Sequence, residues 1–376
     1  MIRVLHITPD NKFFDGTFTK WETSGMFTNK AILITRKKNH VFKYIQNSEK
    51  VQVLWNTKMV RKRLNEDDYD IVFFHSLPPS RYKHIKYIPD DRIVIWWGWG
   101  ADIYGSMRGL PPLISVNLYK PKTSVFVKKT WTDFRMTAEF LLWKLMTPLT
   151  KYRQKKALER IDYYQPVIKK DYELMCRNKN FRAKEFYCMP QKPSFVIEHP
   201  KQSDGSILLG NSAAPTNNHL DVLEIVKSFK QESQKVIMPL SYGNKKYRKW
   251  LISQIDDPAI IPIYEYMPKT EYFKLLDSCS YAIFGTIRQH SMGNIGYALR
   301  KGIKVFLYKD SIVYNYLKEF GYVVYAIEDM SEDSFKTPLS KEEVEQIYAA
   351  QIKELNRRMS VFDSFLSDYY SVKHVF

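Results

Sequence analysis

Short apolar runs, each closed off by turn residues, recur from one end of the chain to the other, with helical patterns between them. In the first half the runs are residues 2–7, 31–35, 51–55, 70–75, 92–97 and 162–167. In the second half they are 206–209, 235–240, 260–264, 281–284, 303–308 and 322–326. Short, near-continuous apolar runs fit strands covered on both faces, as in parallel sheets. Residues 220–229 carry apolar side chains at 220, 222, 223, 225, 226 and 229, a helical pattern, and 271–279 and 295–300 are shorter examples. Strand and helix alternating in this way predict an α/β, doubly wound fold.

The series restarts near residue 205. Just before it, residues 192–205 hold Pro193, Pro200 and the polar cluster Gln202-Ser203-Asp204-Gly205, which reads as a linker. The expected division is an N-terminal Rossmann-like domain over 1–200, a second over 201–340, and helices over 341–376 packing across both. The length of 376 residues suits two ordinary domains. A hydrophobic fraction of 44% makes a packed core feasible and argues against disorder.

Charge adds a partner class. Lys and Arg number 58 against 40 acids, a formal +18, which attracts nucleic acid, anionic lipid or phosphorylated substrates. The cations are densest at 120–160, eleven against three acids, interleaved with Phe126, Trp131, Phe134, Phe140, Trp143 and a leucine-rich run. That mixture suits a helix lying in a membrane interface, or else an ordinary amphipathic helix packed on the first domain with its charges solvated. A basic nucleic-acid-binding protein is the competing class, but no helix-turn-helix, zinc-finger or RNA-binding signature occurs. Cys176, Cys188 and Cys279 show no paired spacing, which suits a reduced, cytoplasmic protein without a zinc site. No run approaches the roughly 20 apolar residues of a membrane-spanning helix, and the start is too short and polar for a signal peptide. The expectation is a protein peripheral on the inner face of the cell membrane.

Four stretches could carry chemistry. The first is Ile207-Leu208-Leu209-Gly210-Asn211-Ser212, a strand running into a small-residue loop before the helix at 220. Gly210, Asn211 and Ser212 would let a phosphate approach the backbone near a helix N-terminus. The second is Arg288-Gln289-His290-Ser291-Met292-Gly293-Asn294, following the strand at 281–284 and opening a helix. Arg288 is a fixed cationic fork suited to a diphosphate, and the amides of Ser291, Met292, Gly293 and Asn294 could cradle it. The third is Trp96-Trp97-Gly98-Trp99-Gly100-Ala101-Asp102-Ile103-Tyr104, at the C-terminal end of a strand. There Asp102 could act as general base and Trp99 could stack on a sugar, or Asp102 could cap a helix and the tryptophans could be core. The fourth is Phe13-Phe14-Asp15-Gly16, with Asp15 a second candidate base or simply a turn former. His75, at a strand end, is a further candidate, although a lone histidine there is more often structural. Asp68-Tyr69-Asp70 imitates a metal-binding Asp-x-Asp motif but abuts a buried run and is assigned no metal. No Walker loop, HExxH or GxSxG occurs.

Taken in order, several segments resemble the bacterial 4-acetamido-4,6-dideoxy-D-galactose (Fuc4NAc) transferase family of enterobacterial common antigen synthesis. They are Trp99-Gly100-Ala101-Asp102-Ile103-Tyr104; Ile207 to Ser212 with Asn218-His219; Val236-Ile237-Met238-Pro239-Leu240-Ser241-Tyr242; Tyr272 to Cys279; and Arg288-Gln289, Met292-Gly293 and Ala298 to Ile303. The resemblance implies a GT-B glycosyltransferase with two Rossmann-like domains facing across a cleft. It further implies an inverting reaction that needs no metal or other cofactor, a dTDP-linked amino-deoxy sugar donor and an undecaprenyl-diphosphate-linked saccharide acceptor. A UDP- or GDP-sugar donor with another acceptor is the alternative. On this reading the donor diphosphate lies between Gly210–Ser212 and Arg288–Asn294. The base and ribose meet Pro239, Ser241, Tyr242, Tyr264 and Glu265, and the acceptor meets His75, Trp99, Asp102 and Tyr104. Residues 11–22 and 110–129 do not match the family pattern, nor do His290-Ser291 and Asn294.

Overall fold

The computed structural model describes residues 1–105, 112–190 and 205–373. The strands of the first half are β1 (Ile2–Thr8), β2 (Phe27–Ile34), β3 (Val51–Leu54), β4 (Ile71–Phe74), β5 (Ile93–Trp97), β6 (Tyr163–Gln165) and β7 (Lys184–Glu185). Those of the second are β8 (Ser206–Leu209), β9 (Val236–Pro239), β10 (Ile260–Ile263), β11 (Cys279–Phe284), β12 (Lys304–Leu307) and β13 (Tyr325–Ala326). One sheet runs β3-β2-β1-β4-β5-β6-β7 and the other β10-β9-β8-β11-β12-β13. All named strand pairs are parallel. The apolar runs read from the sequence are these strands; only the two-residue β7 lacked a pattern long enough to show. Ile71–Phe74, Ser206–Leu209, Val236–Pro239 and Lys304–Leu307 are buried at every position, as parallel strands under helices must be.

The chain forms two compact units. The first comprises Met1–Ser115, Leu142–Pro193 and Asn356–Phe376, and the second Val116–Leu141 and Ser194–Leu355. Two stretches belong elsewhere than a linear division would put them. Residues 116–141 go with the second unit, because the Asp221 carboxylate accepts the amides of Lys122 and Thr123 at 2.8 and 3.0 Å and the Thr123 hydroxyl at 2.7 Å. Phe126 then packs on Tyr247 and Trp250. The C-terminal stretch is one helix, Lys341–Lys373, shared between the units rather than a set of separate helices. Its later turns join the first unit's core through Phe362, Phe365 and Tyr369, and Arg357 forks onto Glu185 at 2.8 and 3.0 Å. Residues 192–204 of the expected linker lie outside the described residues.

Each sheet reverses its strand order once, between β1 and β4 in the first and between β8 and β11 in the second. Open α/β sheets bind ligands in the crevice outside the carboxyl ends of the strands at such a reversal. The connections after β1 and β4 hold Asp15 and His75, and those after β8 and β11 hold Gly210–Ser212 and Arg288–Asn294; Trp99–Tyr104 follow β5, and Tyr242 and Tyr264 follow β9 and β10.

Candidate functional site

In the second unit, β8 ends at Leu209 and runs into Gly210, β11 ends at Phe284, and the two strands pair. Gly210 has φ of +68°, and a Cβ there would stand 2.8 Å from His219 Nε2 and 3.3 Å from Asn217 Cγ. Glycine is thus required twice over, by backbone conformation and by crowding. Gly210→Ala should destabilise the protein by about 1–3 kcal/mol. Urea unfolding measures this, and a variant as stable as wild type would contradict the packing.

The rest of the loop is tied down by side chains. Asn217 donates to the Ser212 carbonyl at 2.9 Å, Ser212 donates to Asn211 Oδ1 at 3.2 Å, and Asn211 donates to the Tyr242 hydroxyl at 3.1 Å. Asn218, held left-handed at φ 51°, donates to the carbonyls of Gly285 at 2.7 Å and Leu118 at 3.1 Å, and accepts the Lys120 amide at 2.9 Å. One asparagine therefore fastens the loop after β11 to residues 118–120.

The second loop leads into the helix Met292–Arg300, capped by Ser291 in the left-handed region at φ 60°. Arg288 is half-buried, donates to the Gln289 carbonyl at 2.7 Å and lies close enough to Tyr119 to oppose the rise that burial gives that hydroxyl's pKa. His290 meets Thr216 across 3.3 Å, which brings the β8 and β11 loops together. Burial, then Arg288, then His219 drive the His290 pKa down to about 3, so it is neutral at physiological pH. Five buried side-chain atoms here have no hydrogen-bond partner: Asn217 Oδ1, His219 Nε2, Thr286 Oγ1, Gln289 Oε1 and Ser291 Oγ. Buried polar atoms normally find partners, and unmet capacity gathered in two adjoining loops points to a place built for one. With a guanidinium and a helix N-terminus beside it, the chemistry suits an anion carried on a polar group.

Not every expected contact is offered. Asn294 is occupied: its amide donates to the Ser291 carbonyl and its side chain to the Tyr272 hydroxyl, both at 2.8 Å. The first-turn amides left for a phosphate are therefore those before it, Met292 and Gly293. Pro239 is a buried strand residue, whereas Tyr242 and Tyr264, beyond the ends of β9 and β10, stand 49% and 44% exposed. Arg248 sits 5.8 Å over the Tyr264 ring. Glu265 is exposed beside it, and Ser241 is half-buried.

The corresponding place in the first unit is aromatic. Phe13 stacks on Trp99 at 4.9 Å and 23°, and Trp99 leans on Trp97 at 4.5 Å. Trp99 Nε1 donates to the His75 carbonyl at 2.6 Å, which fixes the ring at the sheet's edge. Asp102, three residues on in the helix Gly100–Tyr104, accepts the amides of Trp99 and Leu77 at 3.3 Å each through Oδ2. Desolvation outweighs those bonds and lifts its pKa to about 6. A carboxyl poised there can take a proton near neutral pH.

Three acceptor-side assignments change. Both Asp15 oxygens are occupied, by the amides of Gln46 at 2.9 Å and Asn47 at 3.3 Å, so it holds that loop; Phe13 of the same motif presents an exposed ring, at 47%. Tyr104 is 2% exposed and donates to Asp171 at 2.5 Å, which makes it a core residue rather than a surface contact. His75 is also buried. Its Nε2 lies 3.0 Å from His6 Nδ1, and His6 Nε2 lies 3.0 Å from Asn29 Oδ1. With Asn29 accepting, His6 donates from Nε2 and receives the His75 proton on Nδ1, so the chain fixes the tautomer of both rings. Phe14, Phe18, Trp21, Phe73 and Trp97 surround the pair, and burial holds the His6 pKa near 4 and that of His75 well below its usual value. His6 sits inside the first strand run, and nothing in its local pattern signals its partner sixty-nine residues away.

Asp68 pairs with Lys30 at 2.6 Å and Arg63 at 2.8 Å, and Asp70 with Arg3 at 2.8 Å, so both carboxylates of that motif serve ion pairs. Among the described residues no group of three or more His, Cys, Asp or Glu is placed to hold a metal ion, and no helix is long and apolar enough to cross a membrane.

Two parallel Rossmann-like sheets, each with its ligand-competent reversal, define a protein of the GT-B class. Solved structures agree on the fold. An alpha-glucosyltransferase in complex with UDP and a 13-mer DNA aligns over 99% of this chain and 98% of its own at 9% identity, TM-score 0.55. The N-terminal domain of Candida albicans trehalose-6-phosphate phosphatase aligns over 99% and 97% at 10% identity, TM-score 0.59. The trehalose 6-phosphate synthase of Burkholderia multivorans aligns over 100% and 98% at 8% identity, TM-score 0.53. No curated protein matches the chain by sequence. The chain belongs to the family described as 4-alpha-L-fucosyltransferase, glycosyl transferase group 56, whose model matches residues 127–360. It is a glycosyltransferase.

Proposed function

We propose that this enzyme transfers an amino-deoxy sugar such as Fuc4NAc from a dTDP-sugar to an undecaprenyl-diphosphate-linked saccharide in bacterial surface-polysaccharide synthesis, with inversion. The observation that carries the donor side is the meeting of the loops after β8 and β11 at the reversal of the second sheet, through Thr216 with His290 and Asn218 with Gly285, in the stretch that also holds Arg288, a helix N-terminus and unpartnered polar atoms. The diphosphate binds Arg288 and the amides of Met292 and Gly293; Asn211, Ser212, Gln289 and Ser291 supply neutral polar contacts. Tyr242 and Tyr264 present faces to the base. The acceptor sugar stacks on Trp99 and Phe13. Asp102 removes its hydroxyl proton, the oxygen attacks the anomeric carbon, and the bond to the β-phosphate oxygen breaks with its electron pair leaving on dTDP. Arg288 and the helix end stabilise the charge that develops there, which is the task a divalent ion has in other transferases. A lipid-linked acceptor would keep the enzyme peripheral to the inner face of the cell membrane.

A UDP-sugar donor is the second reading, favoured by the UDP bound in the alpha-glucosyltransferase of the same fold. Thermal-shift titration with dTDP, UDP and GDP decides between them. Stabilisation by dTDP at concentrations where UDP and GDP give little is the expected result; a preference for UDP or GDP would replace the donor, and no response to any nucleotide would remove the site.

A further inference from the structure

We propose that the helix Ala138–Arg160 is the surface by which this protein docks on an anionic phospholipid bilayer, its first half sinking among the headgroups and its second half reading their charge. The proposal rests on the lipid-linked reading of the acceptor and names where the lipid phase meets the chain.

The exposure of this helix is unlike that of the rest of the molecule. Of the described side chains from Ser124 to Lys156, none is buried. Leu141, Leu142, Leu145 and Leu149 are 42–71% exposed, and they are the only leucines among the exposed large apolar residues of the described chain. Met146 joins them at 53%. At about 100° per residue these five positions fall within roughly 140° of the helix circumference, one apolar face. Phe140, Thr147 and Thr150, on the opposite side, are the half-buried ones. Apolar surface of this concentration normally marks a docking site.

The charges say what docks. Residues 138–150 contain one acid and one base, Glu139 and Lys144, whereas 151–160 contain Lys151, Arg153, Lys155, Lys156 and Arg160 against Glu159 alone. The helix is therefore divided along its axis as well as around it. The basic end is the anchored end: Ala157 and Leu158 are buried, and Gln154 reaches the Tyr82 hydroxyl at 3.4 Å. A second copy of the chain would bring the same cations against these, and a neutral apolar partner would give no counter-charge to Lys151, Arg153, Lys155 and Lys156, the last two of which share the single acid Glu159; Arg160 is already paired with Asp162 at 2.8 Å. Anionic headgroups over an apolar layer satisfy both segments. The apolar segment is about 13 residues, roughly 20 Å, too short to cross a bilayer and suited to lying in its interface. The aromatic rings of the neighbouring stretch play a different part. Trp131, Phe134 and Phe140 pack on one another at 5.6–6.3 Å, so the leucines, rather than these rings, form the contacting face.

Co-sedimentation with vesicles tests this on the full chain, using phosphatidylcholine alone and phosphatidylcholine with phosphatidylglycerol. Wild type is expected to bind the anionic vesicles, and less as salt rises. L142S/L145S/M146S should lose about tenfold or more at every salt concentration, because less apolar surface is buried. K151Q/R153Q/K155Q/K156Q should lose about a hundredfold on anionic vesicles and with it most of the salt dependence. All these side chains are partly or fully exposed, so the melting temperature should hold and foldedness is checked directly. Failure of wild type to bind anionic vesicles, or full binding by either variant, overturns the proposal. So does a wild-type dimer that becomes a monomer in the leucine variant, or competition for the helix by duplex DNA with no vesicle binding. The dTDP thermal shift, measured on the same preparations, keeps the two readings apart: a shift without vesicle binding removes the surface alone, and vesicle binding without a shift removes the donor assignment alone.

Discussion

Asp102→Asn lowers the transfer rate at pH 8 by about 10²–10⁴, the usual contribution of a positioned general base, while leaving nucleotide binding untouched. Asn keeps an oxygen for the amides of Trp99 and Leu77, so the loop geometry survives the change. Two further readouts separate loss of the base from general damage. In wild type, kcat/KM should fall as pH drops through about 6, where Asp102 takes up its proton, and this limb should vanish in the variant. The stability sign is opposite. Because the folded-state pKa lies above the ordinary carboxylate value, ionised Asp102 destabilises the fold progressively as pH rises through that interval. The neutral variant should therefore melt no lower than wild type at pH 8. Normal turnover by Asp102→Asn would remove the base assignment.

On the proposed donor site, Arg288→Ala should slow transfer by about 10²–10³ and remove the thermal shift given by dTDP, since the guanidinium proposed to hold the leaving diphosphate is gone. Arg288→Lys should recover part of the binding and little of the rate, because an ammonium keeps the charge but not the planar fork. His290 offers an independent signal. Its pKa is held near 3 by burial first and by Arg288 second, so removing the guanidinium should raise it, as seen in NMR titration of its ring. Unchanged kinetics together with an unchanged His290 would place Arg288 outside the site.

The two loops proposed for the donor were legible in the sequence as strand–loop–helix starts because their parts are local. Gly210-Asn211-Ser212 and Arg288 to Gly293 each follow a strand run and precede a helical pattern, and strand, loop and helix start are short-range features. What could not be read there is the stapling: Asn218 reaching Gly285 and Leu118, Thr216 meeting His290, and the burial that leaves Gln289 and Ser291 without partners. The acceptor side was read less well for the same reason. Asp15, Tyr104 and His75 looked like candidates because their residue types and strand-end positions are suggestive. Their actual partners, the amides of residues 46–47, Asp171 and His6, lie between 31 and 69 positions away.

The sequence by itself determined the strands, their parallel character and the restart of the strand–helix series near residue 205, because a strand buried on both faces must be apolar along its whole length and its turns must be polar. Tertiary structure decided which unit owns residues 116–141, which carboxylates remain for chemistry, and which face of the 138–160 helix is left to the outside. Those are questions of which polar group is already satisfied and which apolar group is already covered, and both depend on neighbours distant in the chain.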